Sequence, residues 1–323
     1  MARPLRVEFD RAVYHVMARG NERRAIVRDD RDRKRWLDTL GRVAERYGWR
    51  VSAFALMDNH FHLFLQTPQP NLSAGMHDLN GSYAGYFNAR HRRVGHLLQG
   101  RFKSLLVEDR GYWRQVSRYV HLNPVRARLA ARPEDWRWSS YPGYHRPARR
   151  LAWADYGPVL AEFGGDGPDG RRAYRAYVED ALGRRLDNPL SAAVHGLVLG
   201  SDAFVERVRA MVAGQAEDPE TPTLGRLRRG AGMAEVIAAV VGRLGGQPER
   251  WRAGRRCDDP SRAVAAYVAR QASTLAGRDI AEALGYRNVS SVSVACRRVE
   301  AALSAGRLGK ALREILADLA TNH

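Results

Sequence analysis

The sequence has few cysteines and no long apolar segment, and these two shortages narrow the class of protein. Cys257 and Cys296 are the only cysteines among 323 residues. Two cysteines are too few for a disulfide framework or a cysteine metal cluster, which favours a reducing compartment. The most apolar stretch, residues 234–241, is far too short to cross a bilayer, and the first ten residues contain no signal-peptide core. We therefore expect a cytoplasmic protein without membrane contact.

Lysine is nearly absent, and acidic residues are scarce relative to basic ones. Only three of the 53 basic residues are lysines, against 35 acidic residues, and the formal net charge is +18. A genome rich in G and C explains the preference for arginine, but it does not by itself leave the acids so outnumbered. Because a strongly basic chain attracts polyanions, a nucleic acid is the expected partner, ahead of a membrane surface.

Apolar periodicity in the first 125 residues predicts an α+β fold. Period-two patterns predict strands, and period-3.6 patterns predict helices at 30–47, 71–90 and 111–122; the strands are at 12–17, 51–57, 61–66 and 100–107. This strand–helix–hairpin–helix–strand order predicts an antiparallel sheet with helices packed on one face. The other face is then expected to be open and to carry a site.

Two histidines flank one phenylalanine near the start of the predicted strand at 61–66. Since side chains alternate along a strand, His60 and His62 project from one face and Phe61 from the other. An isolated His-x-His is more often structural than metal-binding. Here the histidines share their face with Phe64 and Gln66, which makes it unusually polar for a strand whose other face is uniformly apolar and favours a half-exposed site. The pair is spaced to hold one metal ion.

A candidate nucleophile lies on the predicted helix at 111–122. Tyr119 falls on one stripe of this helix, and Asn123 follows one turn later. Pro124 disfavours helical geometry at the residue before it, so we expect the helix to end near Asn123 and free its side chain. Without further context, a core tyrosine is the better interpretation of Tyr119.

Seven motifs occur in a fixed order along the first half of the chain. They are Arg19-Gly20-Asn21, Met57-Asp58-Asn59-His60-Phe61-His62-Leu63, Tyr86-Phe87-Asn88, Gly100-Arg101-Phe102-Lys103-Ser104, Arg118-Tyr119, Leu122-Asn123-Pro124-Val125-Arg126-Ala127 and Trp138-Ser139-Ser140-Tyr141. Together they closely resemble the single-tyrosine HUH transposases, in particular the REP-associated tyrosine transposases. The resemblance implies the ferredoxin- or RRM-like fold of HUH nucleases for this part of the chain.

The resemblance also implies roles for individual residues. His60 and His62 match the pair that binds a catalytic Mg²⁺ or Mn²⁺. Tyr119 matches the nucleophile that attacks a phosphate of single-stranded hairpin DNA, forms a 5′-phosphotyrosine link and releases a 3′-hydroxyl. Asn123 matches the position of the third metal ligand, with His121 and Gln66 as alternatives.

Several basic and polar residues within or beside these motifs are expected to contact DNA. Guanidinium and ammonium groups are the usual partners of phosphate oxygens, although any one of them is about as often an ordinary solvated charge. The expected contacts are Arg19, Asn21, Arg101, Lys103 and Arg126.

A second pattern near the C-terminus predicts a helix-turn-helix. Apolar positions predict a short helix ending at Leu284, a turn at Gly285, and a second helix with Val292 and Cys296 buried. The stretch from 261 to 303 resembles the DNA-binding domain of the bacterial replication initiator DnaA, which implies duplex binding. The residues expected to contact the duplex are Arg262, Arg287, Asn288, Ser290 and Ser291. A plain αα-hairpin that binds nothing is the alternative.

These observations predict three regions: a catalytic domain at 1–145, a helical connecting region at 146–225, and an all-α helix-turn-helix domain at 226–310. The expected activity is metal-dependent cutting and rejoining of single-stranded DNA. A non-catalytic DNA-binding regulator derived from a transposase is the main alternative, but the intact His60, His62 and Tyr119 argue against it. A replication nickase fits the additional motifs less well, and a zinc hydrolase lacks a glutamate base. The sequence leaves a homodimer open.

Overall fold

A computed structural model describes residues 7–108, 111–184, 188–194, 196–213, 231–251, 259–273, 275 and 277–321. Its contacts divide the chain into two compact units, one comprising Arg6–Ser191 and the other containing Ala192–His323. Residues 146–184, from the predicted connecting region, lie in the same unit as the sheet. The boundaries at 145 and 225 stay a prediction. Of the helices in the described ranges, none is long and apolar enough to cross a membrane.

The sheet of the first unit contains the strands β1 (Val13–Arg19), β2 (Arg50–Leu56), β3 (His60–Gln66) and β4 (Lys103–Val107). These strands are antiparallel to their neighbours and lie in the order β2-β3-β1-β4. Arg19 on β1 pairs with His60 on β3. Met17 pairs with His62 on one side and with Lys103 on the other. Because side chains alternate along each strand, all these residues share one face. The register therefore collects predicted site residues from three strands.

Helix α1 (Asp30–Tyr47) covers the opposite face and packs against α2 (Leu72–Arg90). Asp29 caps α1 by accepting a hydrogen bond from the Asp32 N–H at 3.0 Å, and Gly48 ends it in a left-handed conformation. The ring of Trp36 on α1 lies 4.9 Å from that of Phe61 on β3. The two helices and the antiparallel sheet confirm the predicted α+β fold.

Helix α3 (Trp113–Arg126) packs on the face that carries the histidines, so the prediction of an open face is wrong. The ring of Trp113 lies 4.7 Å from that of Phe64 on β3. On the neighbouring β2, Ala53 and Ala55 are fully buried and pair with Phe64 and His62. The polar residues of β3 indicated an exposed surface, but β2 adds apolar side chains beside them. Burying those side chains favours a covering helix.

Pro124 does not end α3 as predicted, because the helix continues to Arg126. Proline removes one N–H donor and crowds the preceding turn. Beyond it, the N–H of Ala127 donates to the Asn123 carbonyl, and the N–H of Leu129 donates to the Pro124 carbonyl, both at 2.9 Å. These bonds close the last turn without the donor that the proline lacks.

His121 ties α3 to the rest of the first unit. This completely buried residue bonds through Nδ1 to the Tyr174 hydroxyl at 2.6 Å and through Nε2 to Ser140 Oγ at 2.7 Å. Ser140 Oγ also accepts a bond from the N–H of Phe54 on β2 at 2.9 Å. Ser140 precedes a short helix, α4 (Tyr141–His145), which is followed by α5 (Gly157–Ala161) and by α6 (Pro168–Glu179), the helix that carries Tyr174. The bonds of His121 thus connect α3 to β2, α4 and α6.

The described part of the second unit is helical apart from the two-residue β5 (Val198–Leu199), as predicted. Its helices are α7 (Asp202–Ala213), α8 (Met233–Leu244), α9 (Pro260–Ala272), α10 (Gly277–Ala283), α11 (Val289–Ser304) and α12 (Gly309–Thr321). Val268 on α9, Val292 and Cys296 on α11, and Ile315 on α12 belong to one buried core. The predicted buried positions of the second helix are therefore in place.

The bond between His121 and Tyr174 predicts a stability effect. Replacing Tyr174 by Phe leaves the buried Nδ1 of His121 without a partner, so we expect the free energy of unfolding to fall by about 1–3 kcal/mol in urea denaturation. Tyr177→Phe on the same helix is the control, because its half-buried ring keeps its contact with the Arg118 guanidinium. Equal effects of the two substitutions would contradict a stabilising role for the His121 bond.

Candidate active site

The two predicted ligands lie side by side at the start of β3. The ring centres of His60 and His62 are 5.1 Å apart, and the rings are nearly perpendicular. His62 is buried, with 5% of its surface exposed, whereas His60 is only partly buried. The pair therefore spans the boundary between the core and the surface.

A hydrogen bond that His60 donates to the preceding residue fixes its tautomer. Nδ1 of His60 lies 2.7 Å from Oδ1 of Asn59, and Nδ2 of Asn59 donates to the Arg23 carbonyl at 2.9 Å. Since that second bond orients the Asn59 amide, its oxygen accepts from a protonated Nδ1. The Nε2 of His60 then carries the lone pair that a metal ion needs.

Tyr119 lies next to the histidines. Its ring centre is 5.8 Å from that of His62, with the two rings perpendicular. Tyr119 has this position because α3 packs on β2 and β3. His60, His62 and Tyr119 therefore meet within one chain.

Burial and nearby positive charge have opposite effects on the ionisation of the Tyr119 hydroxyl. Burial raises the pKa of Tyr119, while Arg126, Asn123 and Arg19 each lower it. The guanidinium carbon of Arg126 lies 5.4 Å from the centre of the Tyr119 ring. The buried Nε of Arg19 has no hydrogen-bond partner among the described residues. Two positive groups therefore act on Tyr119, and positive groups favour the binding of an anion such as phosphate.

Both ligand candidates are neutral at pH 7. Burial is the main cause that lowers the pKa of His60 to about 4, with a smaller effect of the Arg19 charge. Burial also holds the pKa of His62 well below its usual value. Neutral imidazoles are the form that coordinates a cation, so the pair fits a divalent metal ion. The described part of the chain contains no group of three or more His, Cys, Asp or Glu residues that could hold a metal ion, so a further ligand from these residues has to be of another residue type.

Asn123 is the candidate for the third metal ligand. The side-chain amide nitrogen of Asn123 donates to the Tyr119 carbonyl at 2.8 Å, which leaves its oxygen as the atom that could bind a cation. Its role as a ligand stays a prediction.

The two alternatives for this position are wrong. Both ring nitrogens of His121 are bonded inside the core. Gln66 lies at the other end of β3, about 20 Å of strand from His60, and its amide donates to the Arg11 carbonyl at 3.0 Å.

The sequence patterns do not single out His15, which the structure places beside His62. Nε2 of His15 on β1 lies 2.9 Å from Nδ1 of His62, and its ring centre is 5.9 Å from that of Tyr119. Burial lowers the pKa of His15 to about 3. Alternation within β1 puts His15 and Arg19 on one face. Only the pairing of β1 with β3 shows that this face meets His62.

The predicted DNA contacts of the first unit have different positions. Arg19 and Arg126 lie beside Tyr119. Lys103 is exposed on β4, two strands and about 10 Å from His62. Asn21 follows β1, and its N–H donates to the Leu97 carbonyl at 2.9 Å, while Arg101 is exposed just before β4. Contact of these residues with DNA stays a prediction.

The predicted reading residues of the second unit lie around the start of α11. Arg287 and Ser290 are exposed. Oδ1 of Asn288 caps α11 by accepting from the N–H of Ser291 at 3.0 Å and also bonds to the Ser291 hydroxyl. Some of the hydrogen-bonding groups of Asn288 and Ser291 are therefore already bonded at the start of α11. Contact of these residues with DNA stays a prediction.

The prediction that Arg262 contacts DNA is wrong, because its side chain is buried inside the second unit. Nε of Arg262 donates to the Leu284 carbonyl at 2.8 Å, and Nη2 donates to the Gly285 carbonyl. Its guanidinium carbon lies 4.1 Å from the centre of the Tyr286 ring. Only 7% of the residue is exposed. Arg262 thus stabilises the turn between α10 and α11 from within.

Comparison with known protein families finds a match to part of the sheet-containing unit. A family model described as "Transposase IS200 like" matches residues 8–123. This part of the chain is therefore similar to IS200-like transposases. The match spans all four strands of the first unit and contains His60, His62 and Tyr119. It confirms the resemblance to single-tyrosine transposases in this part of the chain.

Two solved structures resemble part of the chain. One is a REP-associated tyrosine transposase bound to a REP hairpin, with 16% identity, a TM-score of 0.38, and coverage of 53% of this chain and 97% of that one. The other is a protein of Deinococcus radiodurans described as a transposase, with 19% identity, a TM-score of 0.27, and coverage of 40% and 92%. No curated protein matches the chain.

The corrected role of Arg262 predicts an effect on stability. Arg262→Met keeps the apolar stem but removes the bonds to the Leu284 and Gly285 carbonyls. We expect a loss of about 1.5–3 kcal/mol in the free energy of unfolding of the second unit, measured by urea denaturation. Arg287→Met, which removes the same charge from an exposed position, should change stability by at most about 0.5 kcal/mol. An Arg262→Met variant as stable as the parent would contradict the structural role.

Proposed function

We propose that the protein cuts and rejoins single-stranded DNA through a covalent link to Tyr119, with Mg²⁺ or Mn²⁺ at His60 and His62. The observation that carries this proposal is the 5.8 Å separation of the Tyr119 and His62 rings within one chain. The ordered motifs favour a strand that carries a hairpin as the substrate. The reaction is expected in the cytoplasm, where the DNA is.

In the proposed step, Oη of Tyr119 attacks a backbone phosphorus atom. A Tyr–O–P bond forms, the P–O3′ bond breaks, and the departing 3′-oxygen takes up a proton as the phenol loses one. The aryl phosphodiester keeps the energy of the broken bond, so attack by a 3′-hydroxyl restores the strand and frees Tyr119. Cutting and joining then need no nucleotide cofactor.

Arg19 and Arg126 supply the charge that this attack requires. Each lowers the pKa of Tyr119, against the larger effect of burial. The same two guanidinium groups can bind the phosphate oxygens as negative charge increases in the transition state. The buried Nε of Arg19 has no hydrogen-bond partner among the described residues and is free to donate to such an oxygen.

His60 and His62 hold the cation in this proposal, and Asn123 is the candidate for a further ligand. A divalent cation at this position supplies Lewis acidity to the scissile phosphate. The Asn59 side chain keeps His60 in the tautomer that binds a metal ion. The donor set and the tautomer of His60 support the proposed metal dependence.

The nucleophile is tested by trapping the adduct. Full-length protein with Mn²⁺ and a labelled single-stranded hairpin should form a protein–DNA adduct that survives denaturing electrophoresis. Tyr119→Phe should abolish it, because no hydroxyl remains to attack the phosphate. Tyr112→Phe, a change at the start of the same helix, is the control and should keep the adduct.

Two results would count against this proposal. An adduct on Tyr119→Phe at the parent level would exclude Tyr119 as the nucleophile. If the parent forms no adduct on any hairpin tested, the protein is better explained as a non-catalytic DNA-binding regulator.

We also propose that the second unit binds duplex DNA through α11. Exposed Arg287 and Ser290 lie around the N-terminal end of this helix, where major-groove readers contact bases. Arg297 and Arg298 add exposed positive charge along α11. The hydrogen bonds of Arg262 to the Leu284 and Gly285 carbonyls hold the turn between α10 and α11, and so the orientation of α11 relative to α10.

Duplex binding is tested at Arg287. We expect Arg287→Ala to weaken binding to duplexes selected by the parent protein from a random pool by about 1–3 kcal/mol, because a base contact is lost. Arg313→Ala removes an equal charge from an exposed position on α12 and should have a smaller effect. Equal losses for both variants would indicate general charge attraction instead of base recognition.

A further inference from the structure

Next to the proposed metal ligands, His15 is a buried polar residue that the proposed reaction does not use. It lies on β1 with 5% of its surface exposed, opposite Phe64 and diagonally across from His62 on β3. Its Nε2 is 2.9 Å from Nδ1 of His62. A buried polar group normally has a hydrogen-bond partner, and here the partner is itself a candidate metal ligand.

The geometry of this pair restricts which atom of His62 can bind a cation. Nδ1 of His62 points at His15 and is occupied by the hydrogen bond. Coordination by His62 therefore has to use Nε2, which must carry a lone pair and no proton. The proton of a neutral His62 then lies on Nδ1, and His15 Nε2 accepts it in the hydrogen bond.

His15 cannot itself serve as a third ligand in this arrangement. The nitrogen that lies nearest to the site is Nε2, and its lone pair is directed at His62. The residue acts on the site through His62 alone. The same relation holds between Asn59 and His60, where the Asn59 oxygen accepts from Nδ1.

We propose that His15 is a positioning residue that accepts a hydrogen bond from Nδ1 of His62 and so presents the Nε2 lone pair of His62 to the divalent cation. The inference rests on the proposed function, since it assumes that His62 binds a metal ion. Asn59 and His15 then form matching supports, one for each ligand. Partners of this kind hold the ring orientation of a ligating histidine and raise its basicity.

The test measures Mn²⁺ binding directly, without DNA and without turnover. In a full-length Tyr119→Phe background, Mn²⁺ affinity is determined by electron paramagnetic resonance of the free ion. His15→Phe keeps a ring of similar size but removes the acceptor, and we expect about 10–100-fold weaker binding. His15→Gln can place an amide oxygen near the former Nε2 and should recover most of the affinity.

A control separates positioning from general damage to β1. Tyr14→Phe changes the adjacent buried aromatic residue, whose side chain points to the other face and donates to the Val7 carbonyl at 3.0 Å. It should leave Mn²⁺ affinity unchanged. Equal losses in Tyr14→Phe and His15→Phe would overturn the inference.

A second measurement reports the tautomer without metal. Long-range ¹H–¹⁵N spectra of the metal-free protein should show His62 protonated at Nδ1, and His15→Phe should move the proton to Nε2. A His62 protonated at Nε2 in the parent overturns the inference, even if His15→Phe proves poorly folded.

The outcomes also separate this inference from the proposed function. If the Tyr119→Phe parent binds Mn²⁺ and His15→Phe binds it equally well, only the role of His15 is overturned. If the parent binds neither Mn²⁺ nor Mg²⁺, the metal site of the proposed function fails, and the role of His15 fails with it.

Discussion

Helix α3 packs against the sheet through the edge-on contact of Trp113 with Phe64 and through the hydrogen bonds of His121. The position of every reacting group depends on this packing, because the tyrosine lies on the helix and the histidines lie on the strand. Tyr119 lies on the same helix, two residues before His121, with its ring centre 5.8 Å from that of His62. Contacts at Trp113 and at His121, on either side of Tyr119 in the sequence, hold the hydroxyl in place, which suits the in-line attack on phosphorus that we propose.

Burial and positive charge act in opposite directions at this site. Burial disfavours the ionised form of Tyr119, while Arg19 and Arg126 favour it. A phosphate bound between these guanidiniums would neutralise them, so their charge serves both the substrate and the nucleophile. In the proposed mechanism, the sheet contributes neutral imidazoles on β3 and one cation on β1, and the helix contributes Tyr119 as the nucleophile and the second cation.

Much of the site could be predicted from local sequence, because its key residues obey simple periods. Alternation with period two placed His60 and His62 on one face. The wrong predictions concern contacts between elements, which local patterns do not contain. Side chains of β2 made the histidine face of the sheet apolar, and hydrogen bonds beyond Pro124 continued α3. The burial of Arg262 against two carbonyls follows only from the packing of α9. His15 carries no distinguishing local pattern, since its importance depends on the register between β1 and β3.

The central claim is that Tyr119 becomes covalently linked to a DNA 5′-phosphate, and peptide mapping of the trapped adduct tests it most directly. After digestion with nuclease and trypsin, mass spectrometry should find a nucleotide on the peptide that runs from Tyr119 to Arg126, and the released strand should end in a 3′-hydroxyl. A nucleotide on any other peptide, or a 3′-phosphate on the released strand, would contradict the account.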